Sequence, residues 1–221
     1  MLALARGELA LYIEHTLLRP DAGARDVERL CAEARKNLFH SICVNGCRVE
    51  LARHLLEETD VKIVCVVGFP LGASETDAKR IETEGAIDNG AHEIDLALNL
   101  GWLRDGAAER ILRELRDIVE AADERPVKVI IETALLSDDE KVLAAKLVAA
   151  SGAKFVATST GFAPGATPED VRLLREAVGP KFGIKASGGI LETAQALALI
   201  EAGATRLGCS ASVAIVDGLP G

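Results

Sequence analysis

Eight short runs rich in Val, Ile and Leu recur along the chain. Each is followed by a longer amphipathic stretch, and this alternation restricts the fold more than any other feature. The clearest run is VKIVCVV, from Val61 to Val67, which is apolar almost throughout, as a parallel strand covered on both faces must be. VKVIIET, from Val127 to Thr133, reads the same way. The other six are YIEHT, SICVN, HEIDLAL, KFVAT, FGIKAS and ATRLGCS, starting at Tyr12, Ser41, His92, Lys154, Phe182 and Ala204. Helical patterns lie between them. Val27, Leu30, Cys31 and Ala34 recur at helix spacing, as do Ile111, Leu112, Leu115 and Ile118. Ser137 with Glu140 reads as a capping box, Ser74 as an N-cap, and Thr167-Pro168 as a helix start. Gly203 closes the last helical pattern.

Eight strands alternating with helices in 221 residues predict an α/β fold of one kind, a (β/α)8 TIM barrel with a short N-terminal helix. A doubly wound open sheet is the alternative. No linker, repeat or low-complexity stretch interrupts the pattern, so one domain over residues 1–221 is expected. Aromatic residues make up only 3%, so the core must be aliphatic. A net charge of −9 argues against nucleic acid as a partner, because phosphate backbones require clustered Lys and Arg. The apolar runs are too short to span a bilayer, so no membrane partner is expected. Five cysteines, mostly inside apolar runs, suggest reduced thiols and a cytoplasmic protein. Cys43 and Cys47 lack a second ligand pair, so no metal is expected.

In such barrels the site lies at the carboxyl ends of the strands. Two charges sit inside apolar runs there, Asp95 in EIDLAL and Lys185 in FGIKASGG. Burying either alone is costly, so they read as an internal ion pair or as an acid–base pair in a catalytic mouth. Lys128 and Glu132 could form a second internal pair, with Lys128 structural. TSTG, SGGI and LGCS follow the last three runs. Three glycine turns in succession suit an anion, because glycine lets backbone N–H groups approach it. A phosphorylated small molecule is the expected ligand.

The segments IEHTLLRP, SICVN, VVGFPLG, EIDLALNLG, VKVIIET, TSTGF, IKASGGI and LGCS together resemble the deoxyribose-phosphate aldolase family, from about Ile13 to Val216. The resemblance implies a class I aldolase without metal or cofactor. Such enzymes cleave 2-deoxyribose 5-phosphate reversibly to acetaldehyde and glyceraldehyde 3-phosphate through a lysine Schiff base. The family motif on the sixth strand reads Lys-Thr-Ser-Thr-Gly, and here Ala157 precedes Thr158-Ser159-Thr160-Gly161. The resemblance therefore implies a chain whose nucleophile is missing, as in a lysine-to-alanine variant, with strongly reduced turnover. It further implies Asp95 as proton relay and Lys185 as the second lysine. Gly161, Gly188, Gly189, Gly208 and Ser210 would hold phosphate, with Cys43, Thr160 and Glu14 at the substrate. Glu14 replaces the usual aspartate, Arg19 a common lysine, and Ala211 a frequent serine. Family members are often dimers, so a homo-oligomer is expected.

Lys154 is three residues before Ala157 and should face away from the site. Lys185 could reach the empty position, but beside Asp95 it should stay protonated and be a poor nucleophile. Two rival readings remain: a barrel isomerase or lyase using Asp95 and Lys185 as base and acid, and a sugar-phosphate-binding barrel without catalysis.

Overall fold

The computed structural model describes residues 4–219, so the expected domain 1–221 extends beyond them at both ends. The eight strands are β1 (Ile13–Leu17), β2 (Ser41–Val44), β3 (Lys62–Val67), β4 (Glu93–Ala97), β5 (Val127–Ile130), β6 (Phe155–Ala157), β7 (Gly183–Ser187) and β8 (Arg206–Cys209). They pair in sequence order, all parallel, and β8 closes on β1 with Ile13 opposite Leu207. The open-sheet alternative is excluded by that closure.

The helices are α1 (Arg6–Ala10), α2 (Ala24–Asn37), α3 (Val49–Leu56), α4 (Thr76–Asp88), α5 (Leu100–Arg104), α6 (Ala108–Ala121), α7 (Asp138–Ser151), α8 (Pro168–Val178), α9 (Thr193–Glu201) and α10 (Ser212–Asp217). The Ser137–Glu140 capping box and the Thr167–Pro168 start are present. Ser74 is not the cap of α4. Glu75 occupies that position, and its side chain makes no cap bond. The fifth run, legible as strand through Thr133, stops at Ile130. Glu132 adopts φ 51°, the left-handed region, and a short 3₁₀ turn follows. Helices α3, α5 and α10 have only 8, 5 and 6 residues, well below the window of about 11–18 residues over which helical periodicity is read.

Strand alternation sorts the core into two parts. Outward residues such as Ile42, Ile63, Ile94, Val129, Val156, Ile184 and Leu207 join the helices in one large aliphatic core. Inward residues are different in kind. Cys43, Val64 and Val66 form a small separate apolar cluster, and beside them the interior buries the charged side chains of Glu14, Glu93, Asp95, Lys128, Lys185 and Arg206. Phe155 fills the lower barrel, where Gly183 makes room for it. A Cβ at Gly183 would lie 2.3 Å from the ring. Outside the barrel, Lys79 of α4 is fully buried against Glu114 of α6 at 2.7 Å and donates to the Ala97 carbonyl at the end of β4.

The histidines give the fold a pH dependence. Burial is the leading reason that His15, His40 and His92 all sit below their ordinary value of 6.5, so each favours the neutral form when folded. The unfolded chain then binds more protons, and stability rises with pH through that range. A urea midpoint clearly lower at pH 5.5 than at pH 7.5 is expected. An unchanged midpoint would mean these imidazoles are already charged in the fold.

Candidate active site

A cavity of about 150 Å³ opens at the carboxyl ends of the strands. Asp95, Lys185, Cys43, Thr160, Gly161, Gly188, Gly189, Gly208 and Ser210 all line it. Nine of the residues singled out in the sequence thus converge from strands β2, β4, β7 and β8 and the loops after β6, β7 and β8. Two do not line it. Glu14 lies beneath, fully buried among cations, and is a charge partner rather than a wall of the cavity. Ala157 is also fully buried, yet its register explains its importance. It pairs with Ile130 on one side and Lys185 on the other, and both of those line the cavity. A longer side chain at 157 would rise between them.

Under the cavity is a dense array of charge. The Lys185 ammonium bonds Glu14 and Asp95. The Lys128 ammonium lies 2.6 Å from Glu93, 3.0 Å from Asp95 and 3.2 Å from Glu14. Arg206 reaches Glu14 at 3.1 Å and Glu93 at 3.4 Å, and meets His40 at 2.9 Å. Three carboxylates therefore face three cations, and the formal charge of the array is zero. Balance is what makes such burial tolerable, since an uncompensated interior charge is expensive.

The array also sets protonation. Burial alone would lower the Lys185 pKa, but the Asp95 and Glu14 carboxylates hold it well above the ordinary lysine value. Lys128 is shifted upward by the same balance of burial against Asp95, Glu14 and Glu93. Burial would raise Glu14, and the cations Lys128, Lys185 and Arg206 pull it far down instead. The two carboxylates thus favour the ammonium form of Lys185. Burial leads in pushing the Cys43 thiol up, so it stays protonated 3.8 Å from the Asp95 carboxylate. Glu14, Cys43 and Asp95 make a cluster of metal-ligand type. The two ammonium groups already stand on its carboxylate oxygens, which leaves little reason for a cation there. Cys47 is exposed, apart from buried Cys43.

The glycine loops are folded tightly together. Gly161, Gly188 and Gly189 have φ of 88°, 84° and 71°, open to glycine at low cost. Gly165 packs so closely that a Cβ there would lie 1.9 Å from the Gly188 carbonyl oxygen. Ser187 donates to the Ser159 carbonyl and Thr158 to the Ser187 carbonyl, tying the β6 loop to the β7 loop. Gly165→Ala is therefore expected to cost ~1–3 kcal/mol through forced displacement of the backbone. A melting temperature unchanged by that substitution would mean the loop does not close on Gly188 in solution.

Four features escaped the sequence reading. Glu132 does not pair with Lys128; its carboxylate accepts bonds from the backbone N–H and hydroxyl of Thr160. The Thr160 hydroxyl in turn accepts from the Phe162 N–H, so Glu132 steers the loop beside the cavity. Glu93 and Arg206 complete the charge array. Period-two alternation could have found both, because each sits two residues before an inward neighbour, Asp95 or Gly208. Phe69 and Phe162 meet edge to face at 5.6 Å at the cavity mouth. Lys154 is exposed and plays no part in the site.

A parallel barrel with glycine loops on one side of its mouth and a compensated lysine–carboxylate array beneath is the frame of a barrel enzyme acting on a small anionic molecule. The comparisons with known proteins narrow this. The model of the DeoC/LacD family of aldolases matches residues 9–216. The deoxyribose-phosphate aldolase of Alkaliphilus oremlandii is 52% identical over 95% of both chains. Deoxyribose-phosphate aldolase 1 of Bacillus licheniformis is 51% identical over 96% of both. The solved structure of a tetrameric deoxyribose phosphate aldolase from Aeropyrum pernix superposes with a TM-score of 0.90 at 33% identity, over 96% of this chain and 91% of that one. The chain belongs to the DeoC/LacD aldolase family, and by family it is an aldehyde-lyase of the class I aldolase type. Among the described residues, no helix is long and apolar enough to cross a membrane.

Proposed function

We propose that this chain is a deoxyribose-phosphate aldolase scaffold whose Schiff-base lysine is replaced by Ala157. The reaction of the scaffold is reversible cleavage of 2-deoxy-D-ribose 5-phosphate into acetaldehyde and D-glyceraldehyde 3-phosphate. The observation that carries the reading is the register of Ala157. It lies between Ile130 and Lys185, facing a cavity lined by three glycine loops. Gly161, Gly188, Gly189, Gly208 and Ser210 present backbone N–H groups and a hydroxyl to the phosphate. Asp95 relays protons, with the Cys43 thiol and Thr160 beside the substrate. Lys185 supplies a fixed positive charge that would keep a neighbouring amine neutral.

Lys185 does not replace the nucleophile, because its ammonium is held by Glu14 and Asp95 and has no free electron pair. The chain as it stands therefore binds sugar phosphate with little turnover, in a cytoplasmic setting that suits its five unpaired thiols. A homo-oligomer is part of the proposal, supported by the tetrameric relative from Aeropyrum pernix. The test is calorimetric titration with deoxyribose 5-phosphate, followed by borohydride treatment of the complex. Saturable binding without a trapped adduct is expected. A trapped adduct mapping to Lys185 would refute the assignment, and absence of binding would remove the phosphate site.

A further inference from the structure

The cavity retains what a Schiff-base reaction needs apart from one amine. Asp95, Cys43 and Lys185 line it, Ile130 and Lys185 flank position 157, and Gly161, Gly188, Gly189 and Gly208 border the same cavity from β8 and the loops after β6 and β7. The atoms by which a lysine side chain exceeds that of alanine are a three-carbon chain ending in nitrogen, which are those of n-propylamine. We propose that the cavity flanking Ala157, walled by its neighbours Ile130 and Lys185, is a binding site for a small unbranched primary amine, which serves as a diffusible Schiff-base partner and restores carbon–carbon bond cleavage. This rests on the reading of Ala157 given above.

Charge favours the reactive form of the guest. The array below is already balanced, three carboxylates against three cations. A protonated amine would add a fourth cation next to Lys185, so the site selects the neutral base. Lys185 does not compete, since its ammonium turns down to Glu14 and Asp95. The chemistry balances. The amine nitrogen adds to the C1 aldehyde, a proton is taken up from solvent, and water leaves to give an iminium; that proton is returned when the iminium is finally hydrolysed. The C2–C3 bond breaks, and its electron pair flows to the iminium as an enamine. The C3 hydroxyl gives its proton to solvent and becomes the carbonyl of glyceraldehyde 3-phosphate. A proton from solvent adds to C2, and water then releases acetaldehyde and returns the amine.

The experiment uses the chain as it is, with deoxyribose 5-phosphate and graded concentrations of methylamine, n-propylamine and tert-butylamine. Acetaldehyde release is followed, and Ala157→Leu, which fills the space, is assayed beside it. Ala157→Lys provides an independent check of the underlying reading. Expected is a rate that saturates with n-propylamine and exceeds by ~10-fold or more that of Ala157→Leu at equal amine, reflecting a bound and oriented partner. tert-Butylamine should give nothing above solution chemistry, and excess inorganic phosphate should suppress the effect. If Ala157→Leu does not fold, saturation and phosphate suppression decide the matter on the given chain alone. A linear amine dependence with an active Ala157→Lys overturns the amine site and leaves the aldolase reading standing. An inactive Ala157→Lys that still binds substrate overturns both.

Discussion

Ala157→Lys is expected to raise the cleavage rate by ~10⁴-fold or more over the chain as it stands, the order of effect seen when a nucleophile is restored to an intact site. Two features of the structure support a gain of that size. The side chain would enter between Ile130 and Lys185, both of which already line the cavity, so its amine can reach the substrate without rearrangement of the strands. The second is electrostatic. Because the buried array is neutral without it, a fourth cation would be unpaired beside Lys185, and the new amine should titrate below the ordinary lysine range. An amine that is free base near neutrality is the form that attacks an aldehyde. Borohydride should then trap an adduct at position 157. A variant that binds substrate yet forms no adduct would sink the proposal.

The second large effect concerns stability. Lys128 is fully buried and touches Glu14, Glu93 and Asp95. Lys128→Met leaves three carboxylates facing two cations in the barrel interior. A destabilisation of ~3–5 kcal/mol is expected, because removing one partner leaves a buried charge uncompensated. Urea denaturation with a second variant separates this from lost packing. Lys128→Met combined with Glu93→Gln should recover part of the loss, since the array is balanced again. A loss below ~1 kcal/mol in the single variant would show that water reaches these carboxylates.

Much of this molecule is legible in the chain. A parallel strand covered on both faces leaves an apolar run, and eight such runs are visible, including those of Val61–Val67 and Val127–Thr133. The candidate site residues announce themselves as polar intrusions into those runs. Asp95 and Lys185 break otherwise apolar strands, and the glycine pairs follow strand ends. What remained hidden depends on partners far apart in sequence. Nothing near Glu132 indicates that Thr160, 28 residues on, will take its carboxylate in place of Lys128. Glu14 reads as a substrate contact until its neighbours Lys128, Lys185 and Arg206 are known. The run through Thr133 also reads longer than β5, because the left-handed turn at Glu132 accompanies that distant bond and is marked by no glycine or proline.

The closure of β8 on β1 has a consequence for how the chain acquires its ligand. Ile13 and Leu207 are neighbours in space but nearly two hundred positions apart along the backbone. Glu14, on the first strand, finds Lys185 and Arg206 only when the last two strands arrive. Until then its carboxylate has no counterion from that side, and Gly208 and Ser210 have no cavity to line. Contacts of such long separation form late and slowly. During synthesis the cavity they line cannot be complete before the final strand docks. A ligand held at those strand ends would be blind to every incomplete barrel, and its affinity would stabilise only the finished ring.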